Sequence, residues 1–117
     1  MEGLAFPRRG DVYWARLDPT VGAEIATTRP AVIISNDVGN QYSSVITIAP
    51  LTTGGGQRVY PFEVPIPGGE GGLGRTSRVL LNQIRTVDKR RLENRMGALS
   101  QVRMRQVDAA IRISLAV

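Results

Sequence analysis

Residues 27–35 read TTRPAVIIS, with Arg29 and Pro30 set directly before a run of small and β-branched apolar side chains. The segment PAVIIS (residues 30–35) is a short apolar run that fits a strand buried on both faces. Proline has no N–H to give a ladder, so Pro30 belongs at the start of that strand. A cation at the mouth of a buried strand has two readings. It is a solvated end or a partner to a nearby carboxylate such as Glu24, or it is a head group that the strand fixes so that it reaches a groove.

Working outward, residues 11–17 (DVYWARL) alternate well enough for a strand, and Tyr13 and Trp14 within it are read as core or dimer residues ahead of base-stacking ones. Residues 18–28 (DPTVGAEIATT) form a loop too long for a simple hairpin, hence a functional one. After a turn-rich loop over 35–44, VITIAPL (45–51) is a third strand, and LTTGGGQR (51–58) is a loop with three glycines. VYPFEVPI (59–66) alternates Tyr60, Phe62 and Val64 against Val59, Pro61 and Glu63, which predicts a half-buried strand near an edge. PGGEGGLGR (67–75) reads as flexible, and SRVLLNQIRTV (77–87) as one long strand or two broken near Asn82. Asp88 can cap a short helical turn through Leu92. From about Ser100, Met104, Val107, Ala110, Ile111, Ser114 and Leu115 recur at helical spacing, with Arg103, Arg105 and Arg112 largely elsewhere. Short strands followed by a closing helix give a mainly β fold, an antiparallel β-barrel or sheet with a helical cover.

A chain of 117 residues supports one domain, spanning 1–117. It has no cysteine and no histidine, and its ten carboxylates form no dense cluster, so the expectation is no metal and no cofactor. The N-terminal segment MEGLAFPRRGD lacks the apolar stretch of a signal peptide, and no apolar run is long enough for a membrane span. A cytoplasmic protein is expected. The net charge of +5 is regional: residues 75–112 hold ten basic and three acidic side chains, and only Lys89 of all fifteen basic residues is lysine. Planar arginine forks suit phosphate, which points to a nucleic-acid partner, although a charged helical face is commonly just solvated. GEGGLG (69–74) matches a dinucleotide fingerprint in letters only, because a proline precedes it and a strand pattern follows. The Arg9-Gly10-Asp11 tripeptide abuts the first strand and carries no adhesion role. Without histidine there is no Ser–His chemistry.

Three ordered blocks, RRGDVYWARLDPTVGAE (8–24) running into TRPAVIIS (28–35), IAPLTT (48–53) and LNQIRTVDKRRL (81–92), together resemble the MazF/PemK ribonuclease toxins over nearly the whole chain. The resemblance implies an SH3-like barrel with a C-terminal helix, a homodimer, and a toxin restrained by a MazE-like antitoxin. It further implies metal-free cutting of single-stranded RNA to 2′,3′-cyclic phosphate and 5′-hydroxyl ends. The arginine of the R-P pair and the threonine closing the third-strand block map to Arg29 and Thr52 as the residues implicated in cleavage. Many relatives carry serine before Glu24; here the position is Ala23, so a hydroxyl role there is closed.

Such cleavage needs a 2′-hydroxyl deprotonated, phosphorane-like charge stabilised, and a proton for the departing 5′-oxygen. Arginine's ordinary pKa lies so far above neutrality that a neutral side chain at pH 7 is strongly disfavoured. Arg29 is therefore expected to bind the scissile phosphate as a bidentate donor, with Thr52 adding a hydrogen bond and Glu24 orienting or deprotonating the 2′-hydroxyl. The long loops should complete the RNA path, which brings in Asp18 and Pro19 from the first and Thr53 and Arg58 from the glycine loop. Gln83 and Arg85 are expected base or phosphate contacts, against the plainer roles of satisfying backbone groups or lying on an outer face. Two other classes stay open: a CcdB-like gyrase-binding toxin on a similar fold, and a non-catalytic RNA-binding module.

Overall fold

The computed structural model describes residues 5–54 and 56–117; Met1–Leu4, where the reading of the N-terminal segment began, and Gly55 of the glycine loop lie outside the described residues. Seven strands form one antiparallel sheet: β1 Asp11–Arg16, β2 Thr28–Ile33, β3 Val45–Thr52, β4 Glu63–Ile66, β5 Ser77–Leu80, β6 Arg85–Asp88 and β7 Leu92–Ala98. Two helices complete it, α1 Asp37–Tyr42 and α2 Gln101–Leu115. The spatial order is β4-β5-β3-β2-β1-β7, with β6 beside the first half of β3. No β4–β7 ladder is among the strand pairs, so the expected barrel is a sheet that stays open at those two strands.

Strand β2 lies inside the sheet, and all of Ala31, Val32 and Ile33 are buried, as the apolar run requires. It starts two residues earlier than expected, so Pro30 sits within it opposite Trp14; pairing with β3 begins only at Ala31. Alternation sends these residues into two cores. Val32 joins Val12, Ala49, Leu51, Ile66 and Leu81 beneath Val107 and Ala110 of α2. Ala31 and Ile33 join Ala15, Leu17, Ile46, Ile48 and Val87 on the other face. Burying each such Ile, Leu or Val side chain is worth about 1.5–3 kcal/mol, so the middle of the sheet is held from both sides.

The C-terminal helix is capped by Ser100, whose side chain accepts the Arg103 N–H. Its stripe is narrower than expected: Leu115 is exposed, while the Ser114 hydroxyl donates to the Leu81 carbonyl at 2.6 Å. The turn-rich loop over 35–44 contains α1 instead, because the Asn36 side chain caps it and the fully buried Asn40 donates to the Ser35 carbonyl at 2.8 Å. Strand β4 covers only the second half of VYPFEVPI. Pro61 occupies the second position of a turn closed by the Glu63 N–H on the Tyr60 carbonyl at 2.9 Å, a position that suits its fixed φ. The break near Asn82 is real, with β5 and β6 joined by a turn that the Gln83 N–H closes on the Leu80 carbonyl. Asp88 accepts the Arg90 N–H at the start of a 3-10 turn, Lys89–Arg91, as expected.

Two further differences concern glycine. Residues 67–75 contain a 3-10 turn, Glu70–Gly72, packed on β7, a strand that the sequence pattern does not reveal. Gly72 has φ +75°, and a Cβ there would stand 2.1 Å from the Met96 carbonyl oxygen. Glu70 ties this turn to α2, accepting from Arg103 Nη2 at 3.1 Å. That hydrogen bond, foremost, holds the Glu70 carboxyl below its ordinary value of 4.5.

Gly72→Ala should therefore cost several kcal/mol through backbone collision, on the order of 3 or more, while Gly74→Ala, with nothing within 4 Å of its Cβ, stays within about 0.5. Urea denaturation of both checks this, and equal midpoints would contradict it. A depressed carboxyl contributes stability above its unfolded pKa and loses it as the pH falls through the folded value. Glu70→Gln should thus destabilise by roughly 1 kcal/mol at pH 7, with the gap closing below about pH 4.5. A gap unchanged down to pH 3 would show that Glu70 does not act through its charge.

Candidate active site

The register of β2 on β3 pairs Ala31 with Pro50, Val32 with Ala49 and Ile33 with Ile48. Continued by two residues, it sets Arg29 opposite Thr52, at the end of the sheet where both strands meet loops. The same row runs on through neighbouring ladders, Ala15 across from Arg29 and Arg78 across from Thr52. Arg29 and Thr52 line one cavity of about 410 Å³, together with Trp14, Pro30, Thr53 and Arg75.

Arg29 is partly buried, and its Nε donates to the Ala26 carbonyl at 2.9 Å. That single bond orients the guanidinium while its two terminal nitrogens make no hydrogen bond among the described residues. The pairing with Glu24 is not formed: the Glu24 carboxylate instead accepts the Val21 N–H at 3.1 Å within its own loop. The Thr52 hydroxyl oxygen accepts the Gly54 N–H at 3.1 Å, which leaves its hydrogen available to the cavity. A cation with an open fork and a hydroxyl donor on one wall can grip two oxygens of a phosphate.

The remaining expected residues divide. Glu24, Gln83 and Arg85 line a second depression with Ile25, Asn82 and Ile84. Gln83 Oε1 accepts the Ile25 N–H at 3.3 Å and Arg85 Nη1 donates to the Leu17 carbonyl at 2.9 Å, so both hold the 18–27 loop from beneath. For Gln83 this is the backbone-satisfying role weighed for it; Arg85 is half-buried on a carbonyl instead of lying on an outer face. Asp18 Oδ2 accepts the Thr27 N–H at 3.2 Å, closing the base of the same loop, and Pro19 follows it there through a cis peptide bond. Arg58 lies over the Tyr60 ring at 5.1 Å. Neither Asp18, Pro19 nor Arg58 lines the Arg29 cavity, whereas Thr53 does.

Two cavity residues escape the sequence reading. Trp14, read as core or dimer, is 38% exposed on the cavity wall, because its strand partner Pro30 carries it to the rim. Arg75 brings a second exposed cation there; only the regional charge pointed to it. Most of that regional charge is spent inside the molecule: Arg78, Arg85, Arg90, Arg91, Arg95 and Arg103 all bond carboxylates or backbone carbonyls. Among the described residues, no group of three or more carboxylates could hold a metal ion, and no helix is long and apolar enough to cross a membrane.

Comparison with known proteins gives one consistent answer. A family model for the PemK-like, MazF-like toxin of type II toxin–antitoxin systems matches residues 8–115. A Staphylococcus epidermidis protein named Endoribonuclease MazF is 45% identical over 108 residues, covering 92% of this chain and 90% of that protein. Among solved structures, MazF (Form-I) from Deinococcus radiodurans matches with a TM-score of 0.82 at 26% identity, covering 97% of this chain and 99% of that one. An endoribonuclease in complex with its cognate antitoxin from Mycobacterial species matches with a TM-score of 0.78 at 25% identity, over 95% and 96% of the two chains.

Proposed function

This chain belongs to the PemK-like, MazF-like toxin family of type II toxin–antitoxin systems, and from that premise we propose an endoribonuclease that cuts single-stranded RNA at short sequences without a metal ion. The observation that carries the reading is that Arg29 and Thr52, at the adjoining ends of the paired strands β2 and β3, line one cavity. In the proposed reaction the 2′-hydroxyl gives its proton to the Glu24 carboxylate as its oxygen attacks the adjacent phosphorus, the bond from phosphorus to the 5′-oxygen breaks, and that oxygen takes a proton from water. The products are a 2′,3′-cyclic phosphate and a 5′-hydroxyl.

Arg29 grips the non-bridging oxygens with its two terminal nitrogens. Because Nε is already held by Ala26, the fork is oriented before substrate arrives. Thr52 donates its hydroxyl hydrogen to the same phosphate. Glu24 is assigned the deprotonation of the 2′-hydroxyl, and its place in the neighbouring depression makes RNA run across both. Trp14 and Arg75 extend the path as a stacking face and a phosphate contact.

The protein works as a homodimer in the cytoplasm and is restrained by a cognate antitoxin, as in the mycobacterial complex. An acidic antitoxin segment that folds on the cationic groove would compete directly with RNA.

Wild type and Arg29→Lys, incubated with a long mixed-sequence RNA in excess EDTA, test the reading. Wild type should leave discrete cuts with cyclic-phosphate ends, and Arg29→Lys should lose about 100-fold or more in rate, because lysine keeps the charge but not the fork. Near-normal cutting by Arg29→Lys would overturn the bidentate role. No cuts by folded wild type would move the protein to a toxin that acts by binding alone.

A further inference from the structure

The ion pair that sits nearest the Arg29–Thr52 row is also among the best shielded in the molecule. Arg78, the cross-strand partner of Thr52, places Nη1 2.9 Å from Glu63 Oε1, with the two side chains only 16% and 11% exposed. The same guanidinium reaches further. Nη1 also donates to the Arg58 carbonyl at 2.9 Å, and Nη2 donates to the Gly56 carbonyl at 2.7 Å. One side chain thus fastens two carbonyls, those of Gly56 and Arg58, in the glycine-rich segment that follows β3, and Glu63 Oε1 in turn accepts the Tyr60 N–H at 3.3 Å.

Glycine samples many backbone conformations, and holding it in one costs conformational entropy. Within this segment the Gly54 N–H lies on Thr52 Oγ1 at 3.1 Å. That bond occupies one lone pair of the hydroxyl and leaves the hydrogen to be donated elsewhere. The path of the segment therefore sets the direction of the Thr52 hydroxyl.

We infer that Arg78, anchored on Glu63, is a positioning residue for RNA cleavage: it pins the Gly56 and Arg58 carbonyls so that the Gly54 N–H stays on Thr52 and the Thr52 hydroxyl points at the scissile phosphate. This rests on the phosphate-donor role assigned to Thr52. Arg78 touches no substrate, and its effect passes entirely through Thr52. Its loss should therefore lower kcat, where the hydroxyl meets developing charge, and leave KM, set by Arg29 and the groove, nearly unchanged.

The experiment measures kcat and KM on a cleavable RNA for Arg78→Ala and Arg78→Lys, each in wild-type and Thr52→Ala backgrounds, with Arg103→Gln as a variant that breaks a comparable ion pair away from the cavity. Arg78→Ala should lower kcat about tenfold with KM within about threefold, and should lower it no further than about twofold once Thr52 is alanine. Arg78→Lys should recover part of the loss, and Arg103→Gln should leave kcat near wild type. Equal losses in both backgrounds, or a loss matched by Arg103→Gln, would overturn the inference. If Arg78→Ala does not fold, Arg78→Lys and Glu63→Gln carry the same comparison.

Amide exchange of the Gly54 N–H, read by NMR without RNA, separates this inference from the ribonuclease reading. Exchange at least about tenfold faster in Arg78→Lys supports the anchoring even if wild type cuts nothing. Unchanged exchange refutes it even if wild type is active.

Discussion

The antiparallel register of β2 on β3 is the constraint from which the cavity follows. Ala31 against Pro50 and Ile33 against Ile48 fix it, and two residues further out it brings Arg29 to Thr52. A slip of one residue would turn Arg29 to the opposite face of the sheet from Thr52. What prevents the slip is burial on both sides: Val32 is packed under α2 while Ala31 and Ile33 fill the other core. Packing residues with no chemistry of their own thereby set the placement of the two to which the proposal assigns cleavage.

Around this centre, arginine serves as a strap more often than as a contact for RNA. The 18–27 loop is held by Arg85 on the Leu17 carbonyl and by Arg91 on the carbonyls of Arg16 and Asp18. Arg78 does the same for the glycine-rich segment, and Arg103 joins the Glu70 turn to α2. A planar fork with five donors can satisfy several carbonyls at once, which lysine's single ammonium does less well. The near-absence of lysine thus has a structural use in this molecule. Arg29 and Arg75 stand apart because they reach the cavity.

Much of this was legible from residues 30–34 and 45–51, PAVII and VITIAPL, whose largely apolar character admits few structures other than interior strands. The helix at the C-terminus was legible from its period, apart from Leu115. Strand β7 was not, because it is an edge strand with two register shifts against β1 and mostly exposed side chains, so no alternation marks it. In α1 the helix rests on a cap and on the buried Asn40, tertiary features hidden behind a turn-rich composition. VYPFEVPI alternates in sequence, yet Pro61 turns the chain, and only Glu63–Ile66 becomes a strand. The cavity shows the same division. Arg29 and Thr52 came from resemblance to a family, since nothing local announces a register between positions 23 residues apart. Gln83 and Arg85 looked like RNA contacts, and only the folded chain reveals the carbonyl and N–H they serve. Trp14 was read as a core or dimer residue, and its 38% exposure at the cavity excludes only the core half of that reading.

The most direct test of the central claim is NMR of the protein, labelled with ¹⁵N in its arginine side chains and backbone, titrated with an uncleavable all-2′-deoxy strand of a sequence that it cuts. The account predicts that the Arg29 guanidinium signals and the Thr52 signals shift together, along one saturation curve. Shifts confined to the depression of Glu24, Gln83 and Arg85, with Arg29 and Thr52 unmoved, would contradict it.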